Sequence, residues 1–395
     1  MVSVKPTRAA KAPPVWDWSA PGAVALNAGL LHGLGYREVT APVLIAEAKL
    51  RPNYGNKTWE FSLPLQLSQR ETFAASVDET QGAVSAKVES KIVPRLALSA
   101  SAELSGTFRP TWPDPYQPRA DGSLSSTDRN SYYERSLKAE AVLHPIRRHW
   151  IALGYDYTLA AYQQDPAFDA IEAPSHLVPG DHERHQVDLH WRWLQKPFKL
   201  EIGAQAFARQ SFFYFARDAH TGATHAGAGG APPNPLQQTR GVEPEASVRW
   251  RSPAGRWTLN GSYGYALVED TYQGYYSSGA HHPSLEATYR VRRRFELGVS
   301  AEGWLLTYGS NSYRQGPGHP ALTSGDRRFD RKLQLAAEAT APLGHGIVAE
   351  MKAKWLLRET NFPAYQPGVF PASRSYDIEW NYQNVLLLAG LEYAW

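Results

Sequence analysis

From Thr40 onward, apolar and polar residues alternate with a period of two in one segment after another. In Leu96-Ala97-Leu98-Ser99-Ala100-Ser101-Ala102-Glu103-Leu104 every second residue is apolar, the pattern of a strand whose two faces meet different surroundings. Leu137, Ala139, Ala141 and Leu143 oppose Lys138, Glu140 and His144; Val187, Leu189, Trp191 and Trp193 oppose Gln186, Asp188, His190 and Arg192. The same alternation sets Leu285, Ala287, Tyr289 and Val291 against Glu286, Thr288, Arg290 and Arg292. It sets Ala349, Met351, Ala353 and Trp355 against Glu350, Lys352 and Lys354. The pattern predicts strands at 40–51, 57–67, 71–78, 82–93, 95–108, 132–145, 149–162, 183–194, 198–214, 242–251, 256–269, 282–292, 295–308, 329–343, 347–360 and 378–395.

The connections between these strands alternate in length. Tight turns at 145–148, 195–197, 252–255, 292–294 and 344–346 take turns with long loops at 109–131, 163–182, 215–241, 270–281, 309–328 and 361–377. Loops inserted at random would not sort in this way, whereas bacterial outer-membrane barrels have short periplasmic turns and long extracellular loops. The expected fold is therefore all-β: a single transmembrane antiparallel β-barrel of about 16 strands, with 14 to 18 as the range. Two regions fit less well. Pro64 lies inside a proposed strand, where it forfeits a ladder bond, so that strand is expected to be bulged or misplaced. Residues 1–39 are read as a periplasmic N-terminal segment preceding a barrel of residues 40–395. Its stretch 21–35 is read as a short amphipathic helix, an extra strand or a plug entering the lumen.

Composition supports a barrel and excludes other membrane classes. The chain has 395 residues, 43% of them hydrophobic, a mean hydropathy of −0.45 and no apolar run near the roughly 20 residues that a spanning helix needs. Its 13 Trp and 21 Tyr suit a protein with two membrane interfaces to mark. With no Cys, the chain can form neither a disulfide nor a thiolate metal site. The formal charge of +3 is spread along the sequence, which argues against nucleic acid as a partner. The opening Met1-Val2-Ser3-Val4-Lys5-Pro6 lacks the apolar core of a secretory signal, and we read it as a mature form.

The last residues, Val385-Leu386-Leu387-Leu388-Ala389-Gly390-Leu391-Glu392-Tyr393-Ala394-Trp395, end on an aromatic with Leu387, Ala389, Leu391 and Tyr393 at alternate positions before it. This resembles the C-terminal signature of bacterial outer-membrane β-barrels, porin-like and polysaccharide-export-type barrels among them, although the terminal residue there is usually Phe. The resemblance implies that Leu387, Ala389, Leu391, Tyr393 and Trp395 serve as an assembly signal read by the barrel assembly machinery. It also implies that the last strand closes against the first, and that the protein resides in the outer membrane among lipids and lipopolysaccharide. Trp193, Phe198, Trp250, Trp257 and Phe295 flank the short turns, as one aromatic girdle would; Phe212, Tyr214, Tyr263, Tyr265, Tyr308 and Tyr376 fall toward the long loops, as a second would.

The face opposite the apolar one carries charges of both signs. From Glu134, Lys138 and Glu140 they continue through Glu243, Glu245, Arg249 and Arg251 to Glu286, Arg290, Arg292, Glu296, Glu302, Glu338, Glu350, Lys352, Lys354 and Arg358. Unpaired ions are too costly for a dry core, so the lumen holds either water or ion pairs. The first reading is a porin-like channel for hydrophilic solutes, extending to export of a charged polymer such as a polysaccharide, with those last ten residues as selectivity candidates. The alternative is a non-conducting barrel that anchors a periplasmic export, secretion or motility complex, sealed by 21–35 and by loops 109–131 and 215–241. An outer-membrane hydrolase built on Asp181, His182, Glu183, His185, His281 and His282 ranks last, because these residues have no catalytic or zinc spacing; the chain is expected not to be an enzyme. Calcium at Asp114, Asp121 and Asp128 is weakly supported, the glycines at 222, 227, 229 and 230 form no phosphate loop, and no cofactor or metal is expected.

Overall fold

The computed structural model describes residues 17–34, 39–72, 79–93, 95–108, 112–118, 124–127, 131–162, 182–215, 235–272, 277–291, 295–309, 329–360 and 382–395. Sixteen antiparallel strands form the wall. In chain order they are β1 (Asp17–Ser19 and Gly22–Leu34), β2 (Val39–Leu50 and Asn53–Gly55), β3 (Trp59–Ser62 and Leu65–Thr72), β4 (Glu79–Val93) and β5 (Leu96–Phe108). They continue as β6 (Tyr132–Leu143), β7 (His149–Tyr162), β8 (His182–Gln195), β9 (Phe198–Phe215), β10 (Leu236–Arg251) and β11 (Trp257–Asp270). The last five are β12 (Ser278–Val291), β13 (Phe295–Tyr308), β14 (Phe329–Gly344), β15 (Ile347–Thr360) and β16 (Tyr382–Ala394). A separate ribbon pairs Trp112–Pro118 with Leu124–Thr127.

The first three strands are each drawn in two pieces, yet their register runs through the breaks. Trp59↔Ser90 and Leu65↔Val84 belong to one ladder, as do Asn53↔Ser62 and Leu50↔Leu65, and Ser19↔Asn53 and Gly22↔Leu50. Each break falls at a proline, Pro21, Pro52 or Pro64, which has no N–H to donate to the ladder. The proline carbonyls still accept, from Arg51, Leu63 and Ser85 respectively, each at 2.9 Å. Pro64 thus marks a crease within β3. The segment expected at 57–67 and the first two residues of the one expected at 71–78 belong to this one strand, Trp59 to Thr72, while 73–78 lie outside the described residues; the strand is entered through a turn in which the Asn56 Oδ1 accepts from the Thr58 and Trp59 amides at 2.7 and 2.9 Å.

The count of sixteen is restored by the N-terminal segment. Gly22–Leu34 is neither helix nor plug but the second portion of wall strand β1, paired with β2 on one side and with β16 on the other. The barrel therefore begins before residue 40, where the sequence placed its boundary. At the closing seam Ala23 pairs with Ala394, and Gly22 and Trp395 exchange two backbone bonds of 3.2 and 3.0 Å. Two seam glycines allow the backbones to meet. A Cβ at Gly29 would lie 1.7 Å from the Leu387 carbonyl oxygen, and one at Gly390 would lie 2.2 Å from the Leu26 carbonyl oxygen. Because β1 and β16 run antiparallel, the seam residues Gly22 and Trp395 lie on the same rim as the tight turns, which is the periplasmic rim of an outer-membrane barrel.

What the wall buries shows which solvent it expects. Among the described residues only Ala41, Val43, Ala160 and Ala280 are buried hydrophobics, whereas Leu285 is 60% exposed, Leu137 56% and Leu189 53%. These leucines sit on the outward face. An apolar band of this extent is unstable in water and is what a lipid bilayer covers.

Candidate functional site in the lumen

The inner face is set by strand parity. From Lys138 opposite Asp156 to Glu338 opposite Lys352, cross-strand partners place the charged residues of neighbouring strands on one side of the wall. Glu286, Arg290, Glu296, Glu302, Glu338, Glu350, Lys352, Lys354 and Arg358 all project inward from β12 to β15; Arg292 lies outside the described residues. The early strands add the inward charges Glu47, Lys49, Lys87, Glu89 and Glu103, which the sequence reading, counting lumen charges from residue 132 onward, left out.

Ion pairs line this face. Arg290 donates to Glu296 through Nε at 2.8 Å and Nη2 at 2.5 Å. Lys138 reaches Asp156 at 3.1 Å, Lys352 reaches Glu350 at 2.7 Å, Arg358 approaches Asp330 at 3.5 Å, and Arg192 and Lys199 share Glu201. Elsewhere amides take the place of bases. On β8 to β10 the Gln186 Nε2 donates to Asp188 at 2.7 Å and to the Gln205 Oε1 at 2.8 Å, and Gln205 donates to Glu243. Their exposure is uneven: Arg290 and Glu296 are 52% and 36% exposed, whereas Asp156, Asp330 and Glu350 are only 19%, 14% and 13% exposed. The inward Ala41, Val43, Ala160, Asp270 and Ala280 near the long-loop end are buried, as are Asn27 and Ser136 at mid-wall and Ser62 toward the short turns.

A third arrangement joins β12, β13 and β14. The Glu302 Oε1 accepts from the His282 Nε2 at 2.9 Å and from the Trp304 indole N–H at 3.3 Å. The imidazole and indole stack with centroids 4.1 Å apart, and Lys332 on β14 faces Trp304 in the ladder.

The aromatic residues at the short-turn rim, Trp193, Phe198, Trp250, Trp257 and Phe295, share the outward parity; Phe198 and Trp250 are direct cross-strand partners, and Trp257 packs on Tyr289 at 4.5 Å. Tyr263 and Tyr265 also face outward, Tyr263 at mid-strand and Tyr265 nearer the long-loop end, but Tyr308 has the inward parity of Trp304, so neither Tyr263 nor Tyr308 takes the place expected in the second girdle. The Tyr376 ring and the Tyr214 side chain lie outside the described residues. Leu387, Ala389, Leu391, Tyr393 and Trp395 share one outward stripe of β16.

The histidines and acids considered for hydrolysis are not brought together. His185 and His281 face outward, bonded through Nδ1 to Tyr155 and Tyr263 at 2.8 and 2.6 Å, while His282 faces inward to Glu302. His182 contacts Arg209, and Asp181 lies outside the described residues. The side chains of Asp114, Asp121 and Asp128 and the glycines at 222, 227, 229 and 230 also lie outside them. Among the described residues no group of three or more His, Cys, Asp or Glu side chains is gathered as a metal site would require.

No protein-family model and no curated protein sequence matches the chain. Among solved structures, OprB of Pseudomonas putida superposes with a TM-score of 0.50 at 9% identity, over 96% of this chain and 94% of that one. Near-complete coverage of that chain, together with a closed wall of sixteen strands and an apolar outer band, decides the class. The chain has the fold of the bacterial outer-membrane β-barrels. OccK2 of Pseudomonas aeruginosa in complex with glucuronate (TM-score 0.46, 11% identity, 95% of this chain and 98% of that one) is also similar. So is OmpT, an outer membrane protein of Vibrio cholerae (0.46, 11%, 98% and 99%).

Proposed function

We propose that this barrel is a non-enzymatic channel for hydrophilic solutes. The observation that carries the reading is the exposure of one lumen ion pair: Arg290 and Glu296 are hydrogen-bonded yet 52% and 36% exposed, as groups lining a water-filled bore are and groups welding a dry core are not. A wall of about sixteen strands encloses more space than inward side chains fill. Both signs of charge line that space, so the pair at Arg290 and the bases Lys352 and Lys354 act on passing ions and solutes, and export of a charged polymer uses the same surface. Its surroundings are outer-membrane lipid and lipopolysaccharide, and it reaches them through the barrel assembly machinery.

The burial of Ala41, Val43, Ala160, Asp270 and Ala280 near the long-loop end favours a second reading, a barrel closed at that end that anchors periplasmic envelope proteins. Planar-bilayer recording from purified protein separates the two. Steady conductance steps support the channel; silent insertion, with the protein fully folded by heat-modifiable gel mobility, sinks it.

A further inference from the structure

We infer that His282, Glu302 and Trp304 form a binding subsite for the neutral pyranose ring of a sugar, an inference that deepens the channel reading. Three features combine. Glu302 is oriented by two N–H donors that converge on Oε1, which leaves Oε2 to accept from a ligand hydroxyl, and a charged acceptor makes the stronger kind of hydrogen bond. Trp304, 36% exposed on the inner face, supplies an apolar plate held in place by its stack on His282. Gly264, opposite His282 on β11, carries no side chain, and Ser284, opposite Glu302 on β12, adds a hydroxyl that shares a 2.7 Å hydrogen bond with Ser262.

An apolar plate beside a fixed carboxylate matches a molecule with C–H groups on one face and hydroxyls at its edge. Simple inorganic ions have no face to place on the indole. An anionic sugar would meet the Glu302 charge, whereas a neutral ring supplies the donors that a carboxylate lacks. Lys332, beside Trp304 in the ladder, offers donors for a ring or hydroxyl oxygen.

The test uses maltohexaose as a neutral probe and hexagalacturonate as an anionic one, with titration calorimetry on the purified barrel in detergent and current block in planar bilayers. The parent is expected to bind maltohexaose saturably and more tightly than hexagalacturonate. Trp304→Ala should weaken that binding at least tenfold, about 1.4 kcal/mol, with the heat-modifiable gel mobility of the folded barrel retained. Trp304→Phe, which keeps a ring, should retain part of the affinity, and Tyr265→Ala on the outer face should change nothing. Equal binding by the parent and Trp304→Ala, no saturable binding by the parent, or a preference for hexagalacturonate would each overturn the subsite. A barrel that conducts nothing but still shows Trp304-dependent calorimetry refutes the channel while leaving the subsite in place.

Discussion

Replacing Arg290 by glutamate tests the lumen most directly, because the same change has opposite signatures in a wet and in a sealed bore. Arg290 meets Glu296 through two bonds of 2.8 and 2.5 Å, with both side chains partly exposed. Two unit charges about 4 Å apart interact by roughly 1 kcal/mol in water and roughly 4 kcal/mol at an effective dielectric of 20. Exposed pairs measured in proteins contribute about 0.2–1 kcal/mol. In a water-filled lumen, R290E therefore loses an attraction and gains a repulsion of that small size, a total of about 1–2 kcal/mol that side-chain movement lowers further. The bore meanwhile gains two units of negative charge. Under a potassium chloride gradient the reversal potential should move toward cation preference. The shift should be larger near 0.1 M, where the screening length is about 10 Å, than near 1 M, where it is about 3 Å. The swap R290E/E296R should return both the potential and the unfolding temperature toward the parent's. If R290E leaves the reversal potential unchanged while the unfolding temperature of the folded gel form collapses, the pair is a weld in a dry interior and the channel reading fails.

Four further outcomes follow from the wall. G29V and G390V should prevent stable closure of the β1–β16 seam, because a Cβ at either position collides with backbone across the seam; loss of the heat-modifiable form in both, with G261A unaffected since nothing lies within 4 Å of its added methyl, is the expected gel result. Deleting Trp395 should lower the amount of folded barrel in the outer membrane, because it removes both bonds to Gly22 and the indole covering that glycine; normal membrane levels by immunoblot would refute the role given to the C-terminal stripe. Arginine at Leu189 or Leu285 should cost about 2–4 kcal/mol at mid-membrane depth, measured by denaturant titration in lipid vesicles. Single cysteines at 286, 338 and 352, introduced into a chain with no native thiol, should react with a charged maleimide that leaves cysteines at 189, 285 and 335 untouched; equal labelling of the two sets would contradict the facing.

The sequence by itself determined the class of fold and the inward or outward direction of most wall residues. Both follow from a local rule, since successive side chains of a strand point to opposite faces whatever the neighbouring strands do. Leu285 against Glu286 and Met351 against Lys352 could be assigned without knowing any partner. The same parity would have parted His281, which goes with Leu285, from His282, which goes with Glu286, and so dissolved the proposed histidine cluster. The first three strands were obscured for two local reasons. Prolines 21, 52 and 64 each remove a ladder donor, and the inward face of Gly22–Leu34 is mostly small or apolar, with Ala23, Ala25, Gly29 and Leu31 beside Asn27, so polarity marks it only at that one position. Only the tertiary structure decided which strands meet and in what stagger. Whether Glu302 comes within reach of His282 depends on the register between β12 and β13, which pairs it with the neighbouring inward residue Ser284, and β1 becomes a wall strand only because β16, far away in the chain, returns to pair with it. Register is a relation between segments, set by the closure of the whole ring, and alternation within any one segment carries no information about it.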